Sequence, residues 1–438
     1  MTTNAIKLID QLGVTQDGWP AWLQGLQSDA AAALRETGLP HKRVEGWRFT
    51  PLRPLTSGEF APAEQAPNLD RWQHVYDQYL ANTGKAWIVP VVNGTLLPSP
   101  TEAPAGVRVS SLRDALAAQP DLIKSHLGGV AAVEHFAALN AALFSDGLVI
   151  EVDRGAAVDT PVHIVHVTEA GSEDTVCYPR VLVIAQPNAR VRVIESYLVA
   201  ESANKSVTNP VTEVVVEQDA HVDHVRIQVG TKSSSHVAAL AAKVGRSGVY
   251  ASRVVTLGGA LCRLDLRVDL AGIGGETIMD GVYYAGKGEH VDHRTYVDHQ
   301  VPQCTSSENY RGILDGNGHA VWDGMAVVRR GAIKTAAHQQ NRNLLLSDDA
   351  TVNTKPHLEI DTDDLVASHG ATVGALDQEQ LFYLRSRGLE ETQARAALTY
   401  AFVQELLDGV PHEQLASRIG AHLRDRLPGG DTIGEFLS

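Results

Sequence analysis

Thiols are scarce in this chain: 438 residues contain three cysteines, Cys177, Cys262 and Cys304. Their odd number, wide spacing and lack of any CxxC pair exclude a disulfide framework and fit a reducing compartment. Aromatic residues make up only 5%, so a core must be assembled from Val, Ile, Leu and Ala. Basic residues are in deficit, 37 against 52 acidic ones, for a net charge of -15. That balance excludes nucleic acid and anionic lipid as principal partners, since both demand basic surface. No apolar run approaches the roughly 20 residues that cross a bilayer. Asp10, Gln11, Asp17 and Gly18 interrupt the first thirty residues, so no signal peptide is expected and the cytoplasm is the expected location. Phosphate loops of the GxxxxGK[ST] type are missing, and Gly272 to Gly275 has no helical pattern after it, as a dinucleotide fingerprint requires. If ATP matters, another subunit binds it. There is no GxSxG elbow, and no cysteine has a histidine neighbour to activate it.

What is present is ample apolar material, 44% of the chain, arranged in three textures. Residues 1–146 read as mixed and largely helical. Ala30 to Leu34 is Ala-rich, Ser111 to Ala118 opens like a capped helix, and Ala131 to Phe144 approaches a 3.6-residue period. The Pro-rich stretch from Phe60 to Asn68 reads as a linker or loop. Residues 147–376 instead carry more than a dozen short Val/Ile-rich runs, among them LVIEV at 148, VHIVHV at 162 and VDHVRIQV at 222. Their alternation predicts strands with one buried face, and Gly, Asn or Asp occupies the links. The absence of crossover helices excludes a doubly wound α/β sheet. A sandwich or barrel remains open, but a parallel β-helix accounts for more, because it accepts an open-ended series of short strands with such corners. Residues 377–438 return to helix. Asp377 and Gln380 suggest a capping box, Gly388 an αL stop, and Ala394, Ala397, Leu398, Ala401 and Phe402 a single apolar face. A last amphipathic helix is expected from about His412 to Leu427. The whole is a mainly β protein, a parallel β-helix flanked by N- and C-terminal helical regions.

Eighteen histidines invite a metal reading. His163 with His166, His221 with His224, and His290 with His293 are pairs three apart in strand-like runs. On a strand such partners point to opposite sides and do not chelate one ion together. The Asp-His steps at 223 and 292 fit a hydrogen-bonded surface ladder better. The acidic doublets Asp348-Asp349 and Asp363-Asp364 read as solvated turns rather than catalytic dyads.

The segment from Gln339 to Gly388 is the most specific. It contains Asn343 to Ser347 (NLLLS), Pro356 to Ile360 (PHLEI), Ser368 to Thr372 (SHGAT) and Leu381 to Gly388 (LFYLRSRG) in order. Glu45 to Leu52 (EGWRFTPL) and Tyr310 to Ile313 (YRGI) stand upstream. This set resembles the SufB/SufD family of iron–sulfur cluster assembly scaffolds. B-type chains carry H-E-A where this one has His369-Gly370-Ala371, and a functional cysteine where it has Asn341, so the resemblance favours the D-type branch. It implies a right-handed parallel β-helix that pairs with SufB through the end of the helix and docks the ATPase SufC on residues about 377 to 427. It further implies a non-catalytic scaffold in which His369 stands at the SufB interface, near a transient Fe–S cluster shared with SufB, with ATP entering only through SufC. Some complexes of the family suggest a flavin, about which these residues are silent. Many D-type chains have a cysteine two residues before the histidine; here Ala367 takes that place. A cluster usually needs four closely spaced thiolates. Three scattered cysteines require shared ligation. The rival expectations are a B-type or homodimeric scaffold, and a β-helical carbohydrate-active enzyme, against which the sparse aromatics and missing export signal count.

Overall fold

The computed structural model describes residues 18–56, 59–63, 77, 85–99, 101–129, 135–169, 173–200, 204–410 and 412–430. The interruptions expected at Asp10, Gln11 and Asp17, residues 64–68 of the Pro-rich stretch, and the expected helix start at 131–134 lie outside them, as does Pro411.

Two sheets wind into a parallel β-helix of about seven turns. Sheet A runs, from the N-terminal end, through Val107–Ser111, Leu148–Val152, Arg180–Ala185, Val211–Val216, Ser234–Val244, Leu261–Leu270, His290–His299, His319–Val328 and Thr351–Ile360. Sheet B runs through Trp87–Val92, Val162–Thr168, Arg190–Val199, His221–Val229, Val249–Leu257, Glu276–Ala285, Thr305–Leu314, Thr335–Leu345 and Leu365–Gly374. Antiparallel pairing occurs where Val107–Ser111 closes the start of sheet A and where Trp87–Val92 meets the short strand Thr95–Leu96. From Leu148 onward coil length varies from 26 residues, where Ser235 pairs with Leu261, to 33, where Leu148 pairs with Val181. The corners expected from the sequence are real. Asn188, Asp219 and Gly316 there adopt positive φ (63°, 56° and 58°), a region open to Gly and tolerated by Asn and Asp.

The expected single buried face per strand is corrected by the structure. Every residue of Val162–Thr168 and of Arg180–Ala185 is buried. Inward side chains such as Ile164, Val193, Leu264 and Trp322 fill the lumen. The outer face of sheet A is covered by helices α1 (Ala21–Thr37) and α4 (His135–Leu143), whose Leu23, Leu34, Phe136 and Leu139 pack with Leu182 and Ile184. Two short helices, α2 (Leu112–Ala118) and α3 (Pro120–His126), lie between them in sequence, and Ser111 caps α2 by accepting from the Asp114 N–H as expected. The Pro-rich stretch is also more than a loop where described, because Ala61–Pro62 pairs in parallel with Thr175 and Val176.

Helices α5 (Gln378–Ser386), α6 (Glu391–Asp408) and α7 (Glu413–Arg424) follow the solenoid, and α6 and α7 cover sheet B. Asp377 caps α5 through the Glu379 and Gln380 N–H groups, while the reciprocal box occurs on α6, between Glu390 and Gln393. The α6 face predicted from Ala394, Ala397, Leu398, Ala401 and Phe402 is displaced. Ala396, Tyr400, Val403 and Leu407 meet Val225, Val255 and Val282 of sheet B, with Ala397 and Phe402 of the predicted face at the margin of that cluster. Ala394 and Leu398 instead meet Leu381 of α5, Phe402 touches both clusters, and Ala401 is exposed. The bulkier row wins the sheet because each fully buried aliphatic side chain contributes about 1.5–3 kcal/mol.

Candidate functional site at the open end of the solenoid

The C-terminal coil is open. Thr351–Ile360 and Leu365–Gly374 each pair with one neighbour, and among the described residues no strand pairs with their outer edges. Val366 is 64% exposed and Val373 50%, both on this last strand. An uncovered edge with apolar side chains is a template for another chain.

Parallel register sets which side chains look into the mouth. In Thr335–Leu345 the odd-numbered residues turn inward, and those from Thr335 to Asn343 are buried, Gln339, Asn341 and Asn343 included. The next strand pairs Gln339 with His369 and Asn341 with Ala371, so His369 stands on the lumen side of the last coil, with Ala367 beside it. From sheet A the terminal strand turns Val352, Thr354, Pro356 and Leu358 inward, following Ala320, Trp322 and Ala326 below them. His369 is therefore the one ionisable side chain directed into the mouth by the two terminal strands. Asn341 is completely buried. It donates to the Tyr283 hydroxyl (3.1 Å) and accepts from the Asn343 amide (2.6 Å).

Beneath the mouth the lumen is polar. Glu308 pairs in register with Gln339 and accepts from its Nε2 at 2.8 Å. Burial pushes the Glu308 carboxyl up to about 7, against the lowering effect of the Thr295 hydroxyl and the Gln339 amide. Between the ordinary carboxylate range and pH 7 the unfolded chain releases this proton while the folded chain keeps it. Stability should accordingly fall as pH rises through that window, by about 3 kcal/mol in all. Glu308→Gln removes this loss. We expect the variant to match the parent near pH 4.5 and to exceed it by about 3 kcal/mol at pH 8; equal denaturation midpoints at pH 8 would disprove it.

Further down, Glu195 lies fully buried beside Arg226 (2.8 Å) and within 3.6 Å of His224. Burial alone would raise the Glu195 pKa, but the hydrogen bond and charge of His224 and the charge of Arg226 hold it well below the usual carboxylate range. The three histidine pairs do straddle their strands, His166, His224 and His293 inward and His163, His221 and His290 outward. The surface ladder is corrected, however. His224, His290, Asp292 and His293 are buried under the flanking helices or in the lumen, and only His221 with Asp223 (3.6 Å) is partly exposed. Burial lowers His166 to about 4 and His293 to about 3, so both rings are neutral. Asp348, Asp349, Asp363 and Asp364 are exposed turn residues, as read.

All three thiols are buried. Burial pushes Cys177 up to about 11 and raises Cys262 and Cys304 as well, so none is a ready thiolate. Among the described residues, no group of three or more His, Cys, Asp or Glu side chains is close enough to hold a metal ion.

The upstream motifs acquire physical roles. Trp47 lies on the guanidinium of Arg263 (3.8 Å to the ring centroid), Gly46 O accepts from the same guanidinium at 2.8 Å, and Thr50 donates to Asp292. EGWRFTPL thus clamps the N-terminal region onto sheet A. Beside it a cavity of about 480 Å³ is lined by Glu45, Asp265, Arg294, Asp323 and Lys355, whose register alternates in sign from strand to strand. In YRGI, Arg311 points out and holds the Phe402 carbonyl (2.6 Å) and Glu405 of α6. Tyr310 points in, packing against Trp322 with 5.9 Å between ring centroids.

Two family descriptions match this chain: the SufBD core domain of the SUF system for FeS cluster assembly over residues 166–402, and the SufBD protein N-terminal region over residues 8–164. The chain belongs to the SufBD family. It is 32% identical to the iron–sulfur cluster assembly protein SufD of Escherichia coli over 401 residues, 91% of each chain. A SufBD family protein of Synechocystis is 32% identical over 89% of this chain and 88% of its own. SufD of Bacillus subtilis is 26% identical over 91% of this chain and 93% of its own. This membership makes the chain an Fe–S cluster assembly protein of the SUF system and leaves the polysaccharide reading without support. What sequence reasoning missed at the mouth is the buried pair Glu308 and Gln339. Their polar character alone reads as solvent-facing, and only cross-strand register places them under His369.

Proposed function

We propose that the chain is a cytoplasmic, non-catalytic D-type scaffold that pairs with SufB through its terminal coil and docks SufC on its C-terminal helices. The observation that carries this is the mouth itself: one inward-facing imidazole at an uncovered strand edge, in a chain whose three thiols are all buried. Added strands from a partner would satisfy that edge by backbone hydrogen bonding. The partner would supply the thiolates that this chain cannot. A neutral imidazole is a competent iron ligand, so His369 would complete the donor set for the nascent cluster, which is cargo here. Phe382 and Tyr383 of α5, 74% and 57% exposed, suit the ATPase contact. ATP-driven movement of SufC would then work against the SufB pairing, with the rigid solenoid as the lever. ATP enters only there, and no residue of this chain is assigned to a flavin.

Co-expression with SufB and SufC provides the test. His369→Ala should leave the complex intact by native mass while lowering cluster formation about tenfold or more, as for loss of a metal-site residue. Undiminished cluster formation in an intact complex would remove His369 from the site. The same edge suits a second copy of this chain when SufB is absent, and the native mass of the isolated protein distinguishes that homodimer.

A further inference from the structure

Resting on the assignment of His369 above, the register of sheet B identifies a second contributor. Glu308, Gln339 and His369 form one column of inward side chains on three successive strands. Adjacent strands lie about 4.8 Å apart, so an amide held by Glu308 on one side has His369 of the next strand as its register neighbour on the other. Gln339 is 3% exposed, and its Nε2 is engaged by Glu308 at 2.8 Å. Its Oε1 is buried with no partner. A buried, unpartnered amide oxygen costs free energy unless something arrives to use it. On the open side of the column, that something is the imidazole.

We infer that Gln339, anchored by Glu308, is a positioning residue for His369: its Oε1 accepts one imidazole N–H and leaves the other ring nitrogen directed at the cluster site. Histidine ligands are commonly fixed in tautomer and orientation through such a bond from the second ring nitrogen. Glu308 acts one step further back. Its carboxyl fixes which end of the amide faces upward, so that oxygen rather than nitrogen meets the ring.

The isolated chain, labelled with ¹⁵N at histidine, gives a readout independent of cluster chemistry, with the His369 signals assigned by their loss in His369→Ala. The parent should show one dominant neutral tautomer at His369. Gln339→Met, nearly isosteric but without an acceptor, should return it to the tautomer ratio of a free imidazole. Glu308→Leu should do the same by freeing the amide. Identical His369 nitrogen shifts in the parent and Gln339→Met overturn the inference, whatever His369 does in assembly. In the co-expressed complex Gln339→Met should slow cluster formation about tenfold, within the range for such supporting bonds, yet add nothing in a His369→Ala background. A further loss in that background would mean that Gln339 acts structurally, and it too would overturn the inference. Failure of His369→Ala alone to slow assembly would instead remove the cluster-site reading, leaving the tautomer result standing.

Discussion

Gly312→Ala should destabilise the protein by about 3 kcal/mol or more, an unusually large effect for one methyl group. Gly312 sits in the lumen between Tyr283 on one neighbouring strand and Asn343 on the other. The Tyr283 ring crosses over the Gly312 backbone to donate its hydroxyl to Asn343 at 2.5 Å. A Cβ on residue 312 would fall inside the van der Waals envelope of both the ring and the Asn343 amide. The ring cannot retreat without surrendering its bonds to Asn341 and Asn343, each of which contributes about 1 kcal/mol. Overpacking and hydrogen-bond loss therefore act together. Removing the obstacle should rescue the defect, so Gly312→Ala introduced into Tyr283→Leu should have little added effect. Denaturant midpoints of the four proteins decide this, and an additive pair of losses would contradict the steric account.

Asp292→Ala is expected to cost about 3 kcal/mol and to loosen the N-terminal clamp before the solenoid melts. Arg263 and Asp292 are buried together on the outer face of sheet A, beneath Trp47 and Thr50. Truncating the acid leaves a buried guanidinium short of its closest counter-charge. Asp265, which still contacts Arg263 at 2.8 Å, is partly exposed and compensates only in part. The effect accordingly belongs at the lower end of the 3–5 kcal/mol associated with breaking a buried pair. Limited proteolysis should then cut within residues 38–56 at a protease concentration that spares the parent, with the coil region 204–374 still protected. Protection of the 38–56 segment in the variant would show that the ion pair is not what holds the clamp.

Much of the fold was legible because it is written locally. Alternating runs such as VHIVHV locate strands, Asn188 and Asp219 mark corners through their tolerance of positive φ, and Ser111 and Asp377 announce helix starts through their own side-chain oxygens. The proposal of His369 rests on the SHGAT run, and its inward direction on strand register. The α6 face was not, because that helix presents one row to α5 and another to sheet B, and a 3.6-residue period cannot say which row meets which surface. Nor could the sequence place His224 or His293 inside. An alternating strand gives its side chains two directions but does not say whether the outward one meets water or a helix.

By itself the sequence determined the element types, the three-part texture, the family and the shortage of thiols, since each follows from residues close together in the chain or from simple totals. The tertiary structure alone decided that Glu308, Gln339 and His369 form a column. They lie 31 and 30 residues apart, as their pairing shows, while coil length from Leu148 onward runs from 26 to 33. With no fixed repeat, register between coils comes from how the lumen and the flanking helices pack, and a shift of one residue would turn each of these side chains to the opposite face.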